Sequence, residues 1–292
     1  MRPEININVR VEPYFAIYDK YSNMNSNLKK YALVTGGSSG MGLEYVKSLA
    51  RRGYNVIIVA LFQNETDAVK EEMAKLYPEL DFISIGMDLS TMEAPSLLYE
   101  QVRDKIGGGA VEVLVNNAGV INPMHFRNMT GAQISRIIML HNHTTAMLCH
   151  YFLPAMLAAK KGYILNISSL AAWFAFPFIT TYASTKAFTK VFTRALRTEC
   201  AGSGVKVASV YFGAVDTPLY NLSKGKRKLA RALGVMITPQ KASERALRML
   251  FGGFTGWMPG LINKIAYVVT PLLRPCIVAQ IDKAVTKHWN FK

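Results

Sequence analysis

Ser169, Tyr182 and Lys186 are the residues of this sequence whose types and spacing suit acid–base chemistry. A helix that begins near Thr181 would place Tyr182 and Lys186, four residues apart, on one face. A free tyrosine has a pKa of about 10, and a cation one helical turn away stabilises the phenolate and lowers that pKa. A serine hydroxyl earlier in the chain can hold a carbonyl oxygen. The set therefore predicts proton transfer to or from a carbonyl or alcohol oxygen.

The spacing Y-x-x-x-K by itself is weak evidence, because it also occurs on ordinary amphipathic helices with both side chains at the surface. The predicted chemistry requires a bound cofactor and a scaffold that positions these residues. A glycine-rich loop meets the first need. The sequence T-G-G-S-S-G-M-G at 35–42 follows a predicted strand at 31–34 and opens a helix that runs to about Arg52. Glycines there let the backbone approach a pyrophosphate, which the helix N-terminus then faces. A tight turn without a ligand is the alternative.

The end of the second predicted strand, Asn55–Ala60, is where dinucleotide enzymes contact the adenosine ribose. The chain continues there as Leu61-Phe62-Gln63, with neither an acid for a free 2′-hydroxyl nor an arginine for a 2′-phosphate. Cofactor choice therefore stays open at this point. The missing acid and the basic chain slightly favour NADP(H) over NAD(H).

Strands and helices alternate along the rest of the chain at the rhythm of βαβ units, which predicts a parallel, doubly wound sheet. Asp88 follows the third strand and is placed to accept a hydrogen bond from an adenine amino group. N-N-A-G at 116–119 follows the fourth strand, where small residues admit a cofactor. The remaining strands are predicted at 82–87, 111–115, 163–168 and 205–211, and the helices at 67–76, 94–105, 133–158 and from Tyr182 past Glu199.

The helix predicted at 133–158 carries His141, His143 and His150, which raises the question of a metal site. Positions 141 and 143 are two residues apart and face different ways on a helix. No carboxylate or cysteine cluster accompanies them. We therefore expect no metal and interpret these histidines as buried or partly exposed side chains.

The net charge of +15 is concentrated in the last quarter of the chain, where residues 221–292 hold thirteen Lys and Arg against two acids. This asymmetry predicts a phosphate-rich ligand or an anionic membrane surface. Half of the residues are hydrophobic, yet no run of about 18 uncharged apolar residues marks a clear membrane span. Three widely spaced cysteines predict buried thiols in a reducing, intracellular compartment.

Three segments are predicted: an N-terminal extension at 1–29, a main domain at 30–250 and an apolar, basic extension at 251–292. The first begins without the apolar core of a secretory signal. Its alternating apolar residues fit an added edge strand, a dimer contact or a loosely docked tail. The apolar stretch at 257–281 fits a membrane-interfacial segment, or a lid or dimer contact buried in protein. The basic stretch at 219–233 fits contact with the phosphates of an acyl-coenzyme A or a carrier protein, or a solvated helix face.

Together these motifs resemble the short-chain dehydrogenase/reductase family over roughly residues 30–250. The landmarks occur in the family's order and spacing: T-G-x-x-x-G-x-G at 35–42, Asp88, N-N-A-G, Ser169, Tyr182 and Lys186. The resemblance implies a Rossmann-type doubly wound, mostly parallel α/β sheet flanked by helices on both faces. It also implies hydride transfer between a nicotinamide and a carbonyl or alcohol carbon.

The resemblance also assigns roles. Tyr182 would be the acid/base, Lys186 would hold the nicotinamide ribose and lower the pKa of the tyrosine, and Ser169 would orient the substrate oxygen. Asp88 would meet adenine. The other cofactor contacts implied are Thr35, Gly36, Ser38, Gly40, Met41 and Gly42 at the pyrophosphate, Asn116, Ala118 and Gly119 at the ribose, and Val215 and Thr217 at the carboxamide.

Three positions depart from the family pattern. The asparagine expected in the long helix, thirteen residues before Pro154, is His141, with Asn142 one step later. Either the backbone carries the proton relay with histidine tolerated, or a helix bulge lets Asn142 serve, or the relay is weakened. The usual P-G after the sixth strand is Phe212-Gly213, and the second strand lacks a cofactor-selecting charge.

Within the family, G-Y-I-L-N-I-S-S and L-P-A-M are similar to the branch of 17β-hydroxysteroid dehydrogenases and very-long-chain 3-oxoacyl-coenzyme A reductases. This implies lipid or steroid metabolism at the endoplasmic reticulum membrane surface, with the cytoplasm as the alternative location. The expected substrate is a hydrophobic small molecule, for which a coenzyme A thioester is one candidate, and a homo-oligomer is a family expectation. A cofactor-binding but catalytically weak scaffold or regulator is the alternative function. No nucleic-acid partner is expected, because the basic tail contains no recognisable module.

Overall fold

The computed structural model of the protein describes residues 28–173, 177–216, 236–254, 256–257 and 280. The alternating N-terminal residues, Thr217, the basic stretch at 219–233 and most of the apolar stretch at 257–281 lie outside the described residues. The strands are β1 Lys30–Thr35, β2 Asn55–Ala60, β3 Phe82–Gly86, β4 Ala110–Asn116, β5 Gly162–Ser169, β6 Val205–Phe212, β7 Ala214–Val215, β8 Met236–Ile237 and β9 Gly256–Trp257. The helices are α1 Gly40–Ala50, α2 Gln63–Leu76, α3 Ala94–Ile106, α4 Gly131–Ile138, α5 Thr144–Ala158, α6 Thr180–Glu199 and α7 Pro239–Phe251.

In the described part of the chain, seven strands form one parallel sheet in the order β3-β2-β1-β4-β5-β6-β9. Strand order reverses between β1 and β4, and ligands of such sheets bind at that switch point. The sequence-based prediction of a doubly wound parallel sheet is confirmed. The six main strands begin and end within one residue of the predicted bounds, because each is a short run of buried apolar residues that ends in a turn.

Helices cover both faces of the sheet because each strand turns its successive side chains to opposite faces. Val34 packs with Leu49, Met73 and Leu250 of helices α1, α2 and α7. The neighbouring Leu33 packs on the other face, in a cluster with residues of α3, α5 and α6. Burial of the two clusters holds the strand ends, and therefore the loops that follow them, in fixed positions.

The helical segment predicted at 133–158 differs from one regular helix. Five residues, Met139–His143, form a π turn between α4 and α5. A π turn inserts one residue into a helix and is frequent at functional sites. Among the described residues, no helix is both long and apolar enough to cross a membrane.

Candidate active site

A cleft of about 360 Å³ lies at the carboxyl ends of strands β1 to β6. This volume falls within the range typical of small-molecule sites. Most residues predicted for cofactor and substrate line it: Gly36, Ser38, Gly40, Met41, Gly42, Asp88, Ala118, Gly119, Ser169, Tyr182, Lys186 and Val215. Thr35, Asn116, His141 and Asn142 do not line the cleft.

The glycine-rich loop presents backbone to the cleft. Gly36 and Gly40 have φ angles of 67° and 54°, in the left-handed region that side chains disfavour. A Cβ on Gly42 would collide with the carbonyl oxygen of Gly36. Helix α1 begins at Gly40, and the side chain of its N-cap Ser39 makes no capping bond. The first N–H groups of α1 therefore stay available to an anion in the cleft.

Thr35 supports this loop from behind. Its hydroxyl accepts hydrogen bonds from the backbone N–H groups of Asn117 and Ala118, both at 3.0 Å. The Asn117 side chain in turn donates to the Thr35 carbonyl at 2.9 Å. These bonds join the end of β1 to the end of β4. Asn117 also lines the cleft, a position that the sequence analysis passed over in favour of Asn116.

Asn116 instead lies in the core, 6% exposed. Its side-chain amide donates to Asn166 Oδ1 at 2.8 Å, and the Asn166 amide donates to Thr193 Oγ1 at 3.0 Å. This chain of bonds crosses from β4 through β5 to α6, the helix that carries Tyr182. Asn116 therefore ties neighbouring strands together and does not contact the cleft.

Asp88 lines the cleft directly after β3. Its carboxylate accepts from the Ser90 hydroxyl at 2.6 Å and from the Ser90 N–H at 2.9 Å. The Ser90 hydroxyl holds the pKa of Asp88 below its ordinary value; burial opposes this, and the Ser90 N–H and Arg136 add weaker lowering effects. Asp88 is therefore an ionised acceptor at neutral pH.

The structure brings one acid to the cleft that the sequence analysis did not single out. Glu65 lies on the first turn of α2, lines the cleft and accepts from the Ser38 hydroxyl at 2.8 Å. Leu61 and Phe62, which precede α2, are both exposed beside it. An acid thus lies five residues after the end of β2, on the following helix.

Ser169 and Tyr182 meet in the cleft from different elements. Ser169 ends β5, where its hydroxyl accepts from the Ala171 N–H at 3.1 Å and lies 3.4 Å from the Phe212 carbonyl. Tyr182 lies on the first turn of α6. Burial raises the pKa of Tyr182, and a hydrogen bond with Ser169 partly opposes this. The expectation that Lys186 lowers the pKa of Tyr182 stays a prediction.

Lys186 is 6% exposed and one helical turn after Tyr182. Its Nζ donates to the Ile167 carbonyl at 2.9 Å and lies 5.7 Å from the centroid of the Tyr182 ring. Burial lowers the pKa of Lys186 to about 8. The geometry therefore places a cation beside the tyrosine, as the i, i+4 spacing predicts.

His141 and Asn142 lie in the π turn behind the cleft. His141 is 2% exposed, and its ring packs edge-on against Tyr182 with the centroids 5.8 Å apart. The side-chain oxygen of Asn142 is buried and has no hydrogen-bond partner in the described part of the chain. A helix bulge is thus present where the sequence analysis considered one, and neither side chain reaches the cleft.

The fold and the cleft define a Rossmann-type, dinucleotide-binding protein. A family model described as short chain dehydrogenase matches residues 30–227. Because that match covers well over half of the 292 residues, the chain belongs to the short-chain dehydrogenase/reductase family.

Curated relatives support the branch to which the sequence analysis pointed. The chain is 31% identical over 205 residues to "Very-long-chain 3-oxoacyl-CoA reductase-A" of Danio rerio, which covers 69% of this chain and 63% of that protein. It is 29% identical over 198 residues to "Hydroxysteroid dehydrogenase-like protein 1" of Gallus gallus, covering 67% and 58% of the two chains. The chain thus spans about three fifths of the length of these relatives.

A solved structure supports the fold. The short-chain dehydrogenase from Sphingobium yanoikuyae in complex with NADPH superposes with a TM-score of 0.70 at 24% identity. The superposition covers 80% of this chain and 88% of that one. The two proteins therefore share the doubly wound architecture.

Proposed function

We propose that this protein is an NAD(P)(H)-dependent oxidoreductase that interconverts a carbonyl and an alcohol on a hydrophobic substrate. The observation that carries the proposal is the convergence of Ser169, Tyr182 and Lys186 in one cleft with the glycine-rich loop. A hydroxyl, a phenol and a buried ammonium beside a backbone anion site are the groups that this chemistry requires. Membership of the family supports the same reaction class.

The residues along the cleft fit a nicotinamide dinucleotide. The loop backbone and the first turn of α1 would hold the pyrophosphate, Asp88 the adenine amino group, and Ala118 and Gly119 the ribose. Val215, and Thr217 outside the described residues, would contact the carboxamide. The nicotinamide, when bound, would supply or accept the hydride.

The proton transfer follows from the three side chains. In the reducing direction, Ser169 donates a hydrogen bond to the substrate carbonyl oxygen while the Tyr182 hydroxyl gives that oxygen its proton. The tyrosine O–H bond breaks as the new O–H bond forms, and the C=O π bond opens as the carbonyl carbon gains the hydride, for which the bound nicotinamide would give up a C–H bond. Burial alone disfavours the resulting phenolate. The Lys186 ammonium, 5.7 Å from the ring centroid, offsets that cost by electrostatic attraction.

A fatty 3-oxoacyl-coenzyme A is the substrate class that we favour, with a steroid-like carbonyl as the runner-up. The names of the two relatives support these classes. Apolar side chains that line the cleft, such as Leu140 and Phe212, suit a hydrophobic substrate. The basic stretch at 219–233 would contact coenzyme A phosphates.

The choice between NADP(H) and NAD(H) depends on Glu65. The prediction that NADP(H) is slightly favoured relied on the missing acid at the end of β2. A carboxylate hydrogen-bonded to Ser38 in the same cleft removes that argument, because it would repel a 2′-phosphate and accept from a free 2′-hydroxyl. The preference for NADP(H) stays a prediction, and substitution of Glu65 tests it.

We propose a catalytic domain at 30–250 and a homo-oligomeric assembly. The apolar, basic segment at 251–292 would contact an anionic membrane surface, such as that of the endoplasmic reticulum. Flotation of the protein with anionic vesicles, compared with a chain truncated after residue 257, tests the last proposal.

The experiment that tests the function is titration of the purified protein with NADPH and NADH, followed by turnover of a long-chain 3-oxoacyl-coenzyme A. Replacement of Tyr182 by Phe should lower kcat by roughly 100- to 10,000-fold while cofactor affinity stays within about threefold. Tight cofactor binding without turnover on this substrate or on a panel of carbonyls including steroids would support the scaffold or regulator instead. Failure to bind either nucleotide would refute both.

A further inference from the structure

His141 occupies the position where the family resemblance predicts an asparagine. The residue lies in the π turn Met139–His143, between the loop after β4 and the face of α6 that carries Tyr182. Its side chain is 2% exposed and does not line the cleft. The buried imidazole faces Tyr182, the acid/base of the proposed reaction.

Both ring nitrogens of His141 have partners. Nε2 lies 2.9 Å from the backbone nitrogen of Val120, and Nδ1 lies 2.9 Å from the hydroxyl oxygen of Thr185. A backbone N–H can only donate, so Nε2 must accept and carries no proton. The Thr185 hydroxyl donates to the Tyr182 carbonyl at 2.8 Å, so its oxygen is free to accept from Nδ1–H. The network therefore specifies the neutral Nδ1–H tautomer.

This arrangement excludes His141 from carrying protons to the reaction. The chain of bonds runs from Val120 through His141 and Thr185 and ends on the backbone carbonyl of Tyr182, away from its phenol. Neither ring nitrogen has a solvent-facing position from which to exchange a proton. Protonation would turn Nε2 into a second donor against the Val120 N–H.

The surroundings of the His141 ring also favour its neutral form. Lys186 and Tyr182, both on α6, are the ones that the described residues place against it. Burial, and then the positive charge of Lys186, hold the pKa of His141 well below its ordinary value. The imidazole is thus neutral while Lys186 keeps the cation that serves the tyrosine.

We propose that His141 is a positioning residue, locked as the neutral Nδ1–H tautomer, that joins the loop after β4 to the Thr185–Tyr182 turn of α6. Through these two bonds it sets the place of the Tyr182 backbone relative to Ala118 and Gly119 in the cleft. The effect of His141 on the rate of turnover rests on the proposed function, whereas the assignment of its tautomer does not. This role corresponds to the alternative in which histidine is tolerated at position 141, because His141 makes structural bonds to Val120 and Thr185.

Nitrogen-15 NMR of histidine side chains tests the tautomer without any cofactor. The chain has five histidines, and the signal lost in His141→Gln identifies the one of interest. We expect the Nδ1–H tautomer, unchanged from about pH 5.5 to about pH 8.5, where an ordinary histidine titrates. An Nε2–H tautomer, or titration within that range, overturns the proposal.

Turnover of two variants separates positioning from proton relay. Glutamine at 141 can accept from Val120 and donate to Thr185 but cannot pass a proton on, whereas phenylalanine has a ring of similar size and makes neither bond. His141→Phe should lower kcat roughly 10- to 100-fold with a smaller change in KM, since Tyr182 is misplaced. His141→Gln should recover most of that loss. A glutamine variant as slow as the phenylalanine variant contradicts positioning.

Substitution of Thr185 keeps the proposal testable if His141→Phe does not fold. Thr185→Val removes the acceptor of Nδ1–H, and Thr185→Ser keeps it. The valine variant should lower kcat and shift the Nδ1 signal, and the serine variant should do neither. Equal behaviour of the two variants would overturn the proposal. If the wild-type protein shows no turnover, the proposed function fails while the NMR result still decides the tautomer.

Discussion

The two ends of the cleft are built by different means. At the dinucleotide end, the glycine-rich loop offers backbone, and its shape comes from Gly36 and Gly40 in left-handed conformations and from the close approach of Gly42 to Gly36. At the proton-transfer end, buried side chains are held by long-range bonds. Lys186 is anchored on the Ile167 carbonyl, and His141 on Val120 and Thr185.

The two ends of the cleft should therefore tolerate different substitutions. The dinucleotide end should fail when atoms are added, because space near the backbone is what it provides. The proton-transfer end should fail when hydrogen-bonding or charged groups are removed, because buried partners are then left unsatisfied. Glu65, which lies between the two ends, lines the cleft with an exposed side chain, and its substitution should alter cofactor selectivity more than turnover.

The largest effect is expected from an added methyl group at Gly42. Gly42→Ala should lower affinity for NADH and NADPH by roughly 100-fold or more, because the new Cβ collides with the Gly36 carbonyl and lies 2.8 Å from Asn117 Nδ2. Calorimetric titration measures the affinities. Gly131→Ala is the matched control, since a Cβ at that helical position meets nothing within 4 Å. Normal affinity in Gly42→Ala would show that the loop does not hold the cofactor.

An effect of similar size, on stability, is expected from Lys186. The pKa of the folded-state lysine is about 8, below its ordinary value of 10.5. Below about pH 8 the cost of burying the charge is fully present, and between about pH 8 and about pH 10.5 the folded state loses its proton first. The free energy of unfolding should therefore rise by about 3 kcal/mol over that window, relative to Lys186→Met.

Urea unfolding of the wild-type protein and the Lys186→Met variant at several pH values measures this difference. Lys70→Met, at an exposed position on α2, is the control and should track the wild-type curve. Parallel curves for wild type and Lys186→Met would mean that the lysine is not buried as a charge. The same variant should also lose most activity, which would place the cation at the proton-transfer end.

The smallest effect is expected from Glu65. Glu65→Gln should raise affinity for NADPH relative to NADH by roughly three- to tenfold, because removing an exposed carboxylate removes its repulsion of a 2′-phosphate. Parallel titrations with the two nucleotides at low and moderate salt measure the ratio. Glu71→Gln makes the same charge change on the same helix away from the cleft and should leave the ratio unchanged. An unchanged ratio in Glu65→Gln would restore the argument for NADP(H).

The sequence by itself determined the sheet, the glycine-rich loop and the placement of the reactive groups. Buried apolar runs and intervening helices specify a parallel sheet with little reference to distant residues. The turn at 35–42 and the four-residue spacing of Tyr182 and Lys186 are local geometry. Local geometry can be predicted because chain connectivity alone brings these atoms together.

Only the tertiary structure decided what surrounds those groups. The π turn, the bonds of His141 to Val120 and Thr185, the position of Glu65 beside Ser38 and the core position of Asn116 each depend on residues far apart in the chain. The raised pKa of Tyr182 has the same origin, because its main cause is burial. Burial is a property of the whole packed molecule, and the four-residue spacing of Tyr182 and Lys186 does not reveal it.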